Sequence, residues 1–455
     1  MNRVIANTVT WALIGPFSIP AMPQNAVKKP EVSPSRALLA QGKQWIGTWA
    51  TAPQPFMPGG LQTFRNQSLR LIVHTSAGGR KVRIHISNTF GNHPLLIGGA
   101  HIARRTAAAE IDPTSDRTLM FLGRSSTRVP ARSMVVSDPV ELDVPALSDL
   151  AISLFFPKTT EATTLHILAM QTSYVSSDTG DCTADVKFPV AKTIHSWPFL
   201  TGVDVAASAQ GAAVVAFGSS LTDGDGSTLD TNRRWPDVLA ERLEKDTDGE
   251  TEVGVLNQGI IGNRLLNDSP GAGSPFGAAL GQAGLARFQR DVLDQAGVRY
   301  VIMGLGINDI AFPGSLTPLT ERMRPESVIS RYRQLIRRAH QKGIRIIGTT
   351  NPPFENAFLL LSDTAPPVTF YSPEKEIVRQ RVNDWIRSSG EFDDVLDFDV
   401  VLRDPNHPTR LLPSYDSGDH LHPNIAGYIA AGNAIPLVLL KRPTKPMANR
   451  LNSLH

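Results

Sequence analysis

Apolar positions along the 455-residue chain follow three successive patterns. Up to residue 43 they keep no sustained period. MNRVIANTVTWALIGPFSIPAMPQNA carries an early Arg3 and a loosely apolar stretch broken by Asn7, Thr8, Thr10 and Pro16. It reads as a modest secretory signal peptide, which would send the protein to the periplasm or the medium, with a disordered extension as the alternative. Residues 23–43, containing Pro, Ser, Lys and Ala, read as a linker, so 1–43 is set apart from the folded chain. From Trp45 the period becomes two. Val82, Ile84 and Ile86 alternate with Arg83, His85 and Ser87, as in a half-buried strand. SLRLIVHTSAGGRKVRIHISN is therefore expected to form a hairpin turning at Ala77-Gly78-Gly79. Met134–Val136, Leu150–Phe156 and Thr164–Tyr174 are further strand-like runs, and no strong helical period intervenes before about Phe199. Residues 44–205 thus predict a β-rich, sandwich-like domain.

The small-residue stretch TGVDVAASAQGAA, residues 201–213, marks the third change. Short apolar runs now alternate with segments of helical period. Strands are expected at Val214–Phe217, Val253–Leu256, Tyr300–Leu305, Ile344–Thr349 and Val395–Phe398. Between them fall a helix opened by Trp235-Pro236, one ending near Gln295, the amphipathic RPESVISRYRQLIRRAHQKG closed by Gly343, and one capped by Ser372-Pro373. A last helix begins near Asn424. Five strands separated by helices call for a parallel sheet covered on both faces, in a domain spanning 206–442, with 443–455 as a tail. The chain's length allows about two or three domains, at roughly 100–200 residues each.

Composition narrows the partners. With 45 Lys+Arg against 42 Asp+Glu the net charge is +3, too balanced to point to nucleic acid or another polyanion. Lys441, Arg442, Lys445 and Arg450 form a terminal basic cluster that reads as a solvated tail. No run approaches the ~20 apolar residues of a membrane span. Cys182 is the single cysteine, so no intrachain disulfide or Cys-based zinc site can form. His74, His85, His93, His101 and His166 fit no metal spacing, and TDGDGS, residues 222–227, lacks the spacing of a calcium loop. Trp45 and Trp49 suit either a core or a sugar-binding face. Nothing calls for a metal or an organic cofactor.

Ligands of an open α/β sheet bind beyond the carboxyl ends of its strands. Four segments lie there: Gly218-Ser219-Ser220 after the first strand, NQGIIGNR (257–264) after the second, GIND (306–309) after the third, and SGDHLHPN (417–424) after the fifth. Together they supply serines, backbone N–H groups, an asparagine amide, an aspartate and histidines, the parts needed for acyl transfer. Asp419 and His422, at i and i+3, would share a face on a helical turn. His422 then takes a serine proton while Asp419 fixes its tautomer. His420 is the competing base.

These four blocks, in this order across about residues 214–434, resemble the SGNH (GDSL-type) hydrolases, serine esterases with a flavodoxin-like three-layer fold. The resemblance implies Ser220 as nucleophile. It implies an oxyanion hole formed by Ser220, Gly262 and Asn308, and a relay of Asp419 and His422. Ser219 stands where the family carries an aspartate, which keeps Ser219 as an alternative nucleophile and puts the local hydrogen-bond network in question. The preceding β domain is similar to the layout of larger secreted members, which implies short acyl esters, such as acetyl groups on polysaccharides. Two other readings stay open: a lipase or arylesterase with a non-carbohydrate substrate, and a non-catalytic carbohydrate-binding protein on a hydrolase scaffold. Loops 263–280 and 352–372 are expected to shape the pocket.

Overall fold

The computed structural model describes residues 44–177, 180–246 and 252–440. The signal-peptide and linker readings, the basic cluster and the tail lie outside them. The principal strands of the β region, in chain order, are β1 (Gln44–Ala50), β2 (Gln67–His74), β3 (Gly79–Ser87), β4 (Gly99–Ala107), β5 (Met134–Val136), β6 (Val140–Val144), β7 (Asp149–Phe156), β8 (Ser173–Ser176), β9 (Val190–Ile194) and β10 (Leu200–Ala207). One sheet runs β1-β10-β3-β5, with β6 also on β3; the other contains β9-β8-β2-β7-β4. Alternation explains the pairing. Leu69, Leu71, Val73, Ile152 and Leu154 from the second sheet share one buried cluster with Val82, Ile84, Ile86, Val203 and Val205 from the first.

The expected hairpin at Ala77-Gly78-Gly79 does not form. β2 pairs with β7 and β8, and β3 pairs with β5, β6 and β10 in the other sheet. The link between them is held by outside partners rather than by its own turn. The Thr75 N–H donates to Ser148 O (2.8 Å) and the Ser76 N–H to Thr48 O (2.9 Å). Ser68 to Val73 are all buried, so β2 needs strands on both edges and cover on both faces. A hairpin partner alone supplies neither. The Thr164–Tyr174 run likewise resolves into two pieces, Leu165–His166 and β8.

From Ala212 the sheet is parallel. Its strands are β11 (Ala212–Gly218), β12 (Val253–Gly259), β13 (Val298–Gly304), β14 (Arg345–Thr349) and β15 (Asp394–Leu396), in the order β12-β11-β13-β14-β15. The helices are α1 (Ser220–Asp223), α2 (Trp235–Asp246), α3 (Gly284–Phe288), α4 (Ile307–Ala311), α5 (Pro325–Gln341), α6 (Pro373–Ser388), α7 (Phe398–Leu402) and α8 (Ile425–Asn433). They divide between the two faces. Phe217, Val301 and Ile346 pack with Phe288, Tyr332 and Val382 on one side, whereas Val214, Ile302 and Ile347 pack with Trp235, Leu239, Phe398 and Tyr428 on the other. Caps follow the sequence signals. Ser372 Oγ accepts the Lys375 N–H at the start of α6, and Asn424 Oδ1 accepts the Gly427 N–H at the start of α8.

The β region does not hang free of this sheet. The described residues of both regions belong to one compact unit. The Gly47 N–H on β1 donates to Ala296 O (2.9 Å), and the Val255 N–H on β12 donates to Ser76 Oγ (2.8 Å). Ala50 of β1 is buried in the same cluster as Phe217 and Val215.

Candidate active site

β11 runs straight into α1, and this junction places Ser220 at the sheet's carboxyl edge. Ser220 Oγ lies 2.8 Å from His422 Nε2. His422 sits on a loop that the chain folds just before α8, and its Nδ1–H donates to Asp419 Oδ2 at 2.6 Å. The other oxygen of Asp419 accepts the N–H groups of Leu421 and His422 (2.9 and 2.8 Å). The i, i+3 spacing read from the sequence thus closes through backbone and side chain together. Because Nδ1 carries the proton given to Asp419, Nε2 faces the serine with its lone pair.

Burial alone would lower the His422 pKa, but the hydrogen bond to Asp419 and the charges of Asp225, Asp419 and Asp416 raise it above the ordinary histidine value. Burial alone would raise Asp419, but the His422 hydrogen bond and charge, with the two N–H groups, hold it well below the usual carboxylate range. Asp225, whose Oδ2 is 3.6 Å from His422 Nδ1, is a second acid beside this histidine that the sequence reading passed over as part of a polar loop.

His420 is led elsewhere. Its Nδ1 meets Asp416 Oδ2 at 2.5 Å, and its ring meets Phe358 edge-on. Ser219 is buried, and its hydroxyl has no hydrogen-bond partner among the described residues.

Gly262 follows β12, with φ at +67°. A Cβ there would come within 2.8 Å of the Leu280 side chain, so glycine fits on both counts. The Asn308 amide, on the first turn of α4, donates to Asn263 O (2.9 Å), which ties the third block to the second, and Asn308 also lines the cleft. Asp309 is structural in this arrangement: its two oxygens accept the N–H groups of Leu265 and Leu266 at 2.7 and 2.9 Å. Burial pushes its pKa up to about 6 against those two bonds.

Ser220, Gly262, Asn308, Asp419 and His422 all line one cleft of about 790 Å³, open mouth included. Loops 263–280 and 352–372 contribute Phe276, Leu280, Phe358 and Phe370 to its walls, while Met57, Ile167 and Leu168 come from the β region. The β-region wall had no signal in the sequence. It depends on how that region docks. Trp49 packs edge-on against Trp197 in the core, and the Arg83 guanidinium lies over the Trp45 ring. Cys182, the single cysteine, is buried. Among the described residues no cluster of His, Cys, Asp and Glu is arranged to hold a metal ion, and no helix is long and apolar enough to cross a membrane.

Residues 214–435 match the family model of the GDSL-like lipases/acylhydrolases. The class is that of carboxylic ester hydrolases. Solved structures to which the chain is similar include a putative lipolytic protein of the G-D-S-L family from Desulfitobacterium hafniense, at 20% identity and a TM-score of 0.33, covering 49% of this chain and 97% of that one. The aryl esterase of M. smegmatis is 17% identical with a TM-score of 0.37, covering 50% and 99%. The carbohydrate acetylesterase Est24 from Sinorhizobium meliloti is 14% identical with a TM-score of 0.36, covering 50% and 99%. Likenesses at these scores bear on neither substrate nor mechanism. No curated protein matches the sequence.

Proposed function

We propose that the protein is a serine-dependent carboxylic-ester hydrolase that works through an acyl-enzyme on Ser220, and that its ester carries an apolar acyl or aryl group into the adjoining cleft. The observation that carries this reading is the 2.8 Å contact of Ser220 Oγ with His422 Nε2 at the head of that cleft. His422 takes the Ser220 proton as Oγ attacks the ester carbonyl. The Ser220 and Gly262 N–H groups and the Asn308 amide receive the charge that develops on the carbonyl oxygen. His422 then protonates the departing alkoxide. Water, activated by the same base, releases the acid. Asp419 holds the imidazole and stabilises its charged form. The strand order, with the second strand of the sheet outside the first, agrees with a flavodoxin-like doubly wound domain.

The cleft lining favours an apolar group over a sugar acetate. Apart from the reacting groups and Asp225, the side chains facing it are apolar, among them Phe276, Phe312, Leu316 and Phe370. A sugar ring needs polar partners there, whereas each buried CH₂ of an acyl chain gains about 0.8 kcal/mol. Only the part of that gain realised in the transition state raises kcat.

The test is p-nitrophenyl ester hydrolysis from acetate to hexanoate, beside acetate release from acetylated xylan, for the wild type and Ser220→Ala. The expectation is turnover that disappears in Ser220→Ala and a kcat/KM that rises with acyl length. Acetylated xylan as the best substrate would return the assignment to carbohydrate esters. Equal rates for wild type and variant would remove the enzymatic reading.

A further inference from the structure

His166 belongs to the β region, yet it reaches under the nucleophile's helix. It is on the short strand Leu165–His166, paired with Trp197–Pro198, and its ring stacks on Trp197. It is 2% exposed. Nδ1 lies 2.9 Å from Ala52 O and Nε2 2.9 Å from Asp223 Oδ1. Asp223, also buried, is the last residue of α1, which begins at Ser220. Its other oxygen accepts the N–H of Ile261 at 2.8 Å, one residue before Gly262. One carboxylate therefore ties the nucleophile's turn to the oxyanion loop, and one histidine holds that carboxylate.

The geometry points to His166 as a positioning residue: a buried imidazolium that, through Asp223, holds Ser220 and Gly262 in register for the reaction. This rests on the reading of Ser220 as the nucleophile. A backbone carbonyl can only accept, so Nδ1 carries a hydrogen. Asp223 accepts the Ile261 N–H, and the guanidinium of Arg234, itself paired with Asp237 (2.8 Å), is a charged neighbour of this carboxylate. Nε2 then donates as well, and the ring is a cation. Of the charged groups around this pocket, Asp223 favours the cation and Arg234 opposes it; His74, also lining it, is held by Asp149 at 2.7 Å. Burial alone would lower the His166 pKa, and the charge and hydrogen bond of Asp223 with the Ala52 carbonyl raise it instead. The β region is on this account part of the catalytic apparatus and more than an accessory beside it.

The test combines kinetics with a spectroscopic signature in the full chain. His166→Phe keeps the ring against Trp197 and removes both donors; His166→Gln is the second variant should the first not fold. Folding is checked by thermal melting. With p-nitrophenyl butyrate, kcat is expected to fall on the order of 10–10²-fold with KM nearly unchanged, the scale of a misplaced reacting group. Asp223→Asn should lower kcat similarly, and the His166→Phe/Asp223→Asn double variant should be no worse than the worse single one. ¹⁵N spectra of the histidine rings should show an imidazolium, protonated at both nitrogens, whose signals His166→Gln removes. Wild-type kcat in a folded His166 variant, additive losses in the double variant, or a neutral His166 ring would overturn the proposal. Failure of the nucleophile reading shows separately, as undiminished hydrolysis by Ser220→Ala.

Discussion

At the scale of single residues, the proposed reaction depends on which form of His422 faces Ser220. The base must be neutral, so its protonation at low pH stops the reaction. Its pKa is raised by Asp419 and Asp225 against the effect of burial. The acid limb of kcat/KM is therefore expected above the ordinary histidine value of about 6.5, with activity rising through it as pH increases. Asp225→Asn removes one of the two nearest negative charges and should move that limb to lower pH. A pH–rate series for both proteins checks this, and an unmoved limb would exclude Asp225 from the electrostatics of the base. Ser219 makes the opposite case. Its buried hydroxyl has no partner among the described residues, so Ser219→Ala should leave kcat within about two-fold and change stability by less than about 1 kcal/mol. Loss of activity in that variant would revive Ser219 as nucleophile.

Elements rather than residues determine why the reacting groups meet. Ser220, Gly262 and Asn308 follow strands and His422 is three positions from an acid, which made them candidates in the sequence. Their separate roles came from the resemblance of the four blocks to the SGNH hydrolases rather than from local rules. Arg287 was not a candidate. It is fully buried on α3 and gives hydrogen bonds to Gly218 O and Gln258 O (both 2.8 Å) and Asn263 Oδ1 (2.9 Å), with Asp291 at 3.1 Å. Burial lowers its pKa to about 10, which leaves it charged at neutral pH. In the sequence it is one arginine of a helical run, and only the packing of α3 beneath β11 and β12 turns it inward. Arg287→Met would take a charged donor from two carbonyls, of which Gly218 O keeps the Ile260 N–H (3.2 Å), and would weaken the pairing of Asp291. A loss of about 3–5 kcal/mol is expected in urea unfolding, the usual cost of breaking a buried ion pair from one side. A loss under about 1 kcal/mol would mean that the strand ends hold without it.

Across the whole molecule, the β region and the parallel sheet share walls, hydrogen bonds and core. Their two textures were visible as a change of hydrophobic period. Their docking was not, because it joins residues far apart: His166 and Asp223 are 57 positions apart, and Ser76 and Val255 are 179. The tightest approach is at Gly254, where an added Cβ would fall 1.9 Å from Gly47 O. Backbone cannot yield as a flexible side chain does. Gly254→Val is expected to separate the two regions and abolish soluble expression or activity. A soluble, fully active variant would show that the contact is dispensable.

The central claim is that Ser220 carries the acyl group, and the most direct measurement is the mass of the enzyme caught during turnover. The protein is mixed with p-nitrophenyl butyrate, quenched in acid within the first turnover, and mapped by peptide mass spectrometry. The account predicts one added butyryl group on Ser220, retained in Ser219→Ala and absent in Ser220→Ala. An acyl group on Ser219, or hydrolysis with no acylated serine at any quench time, would contradict it.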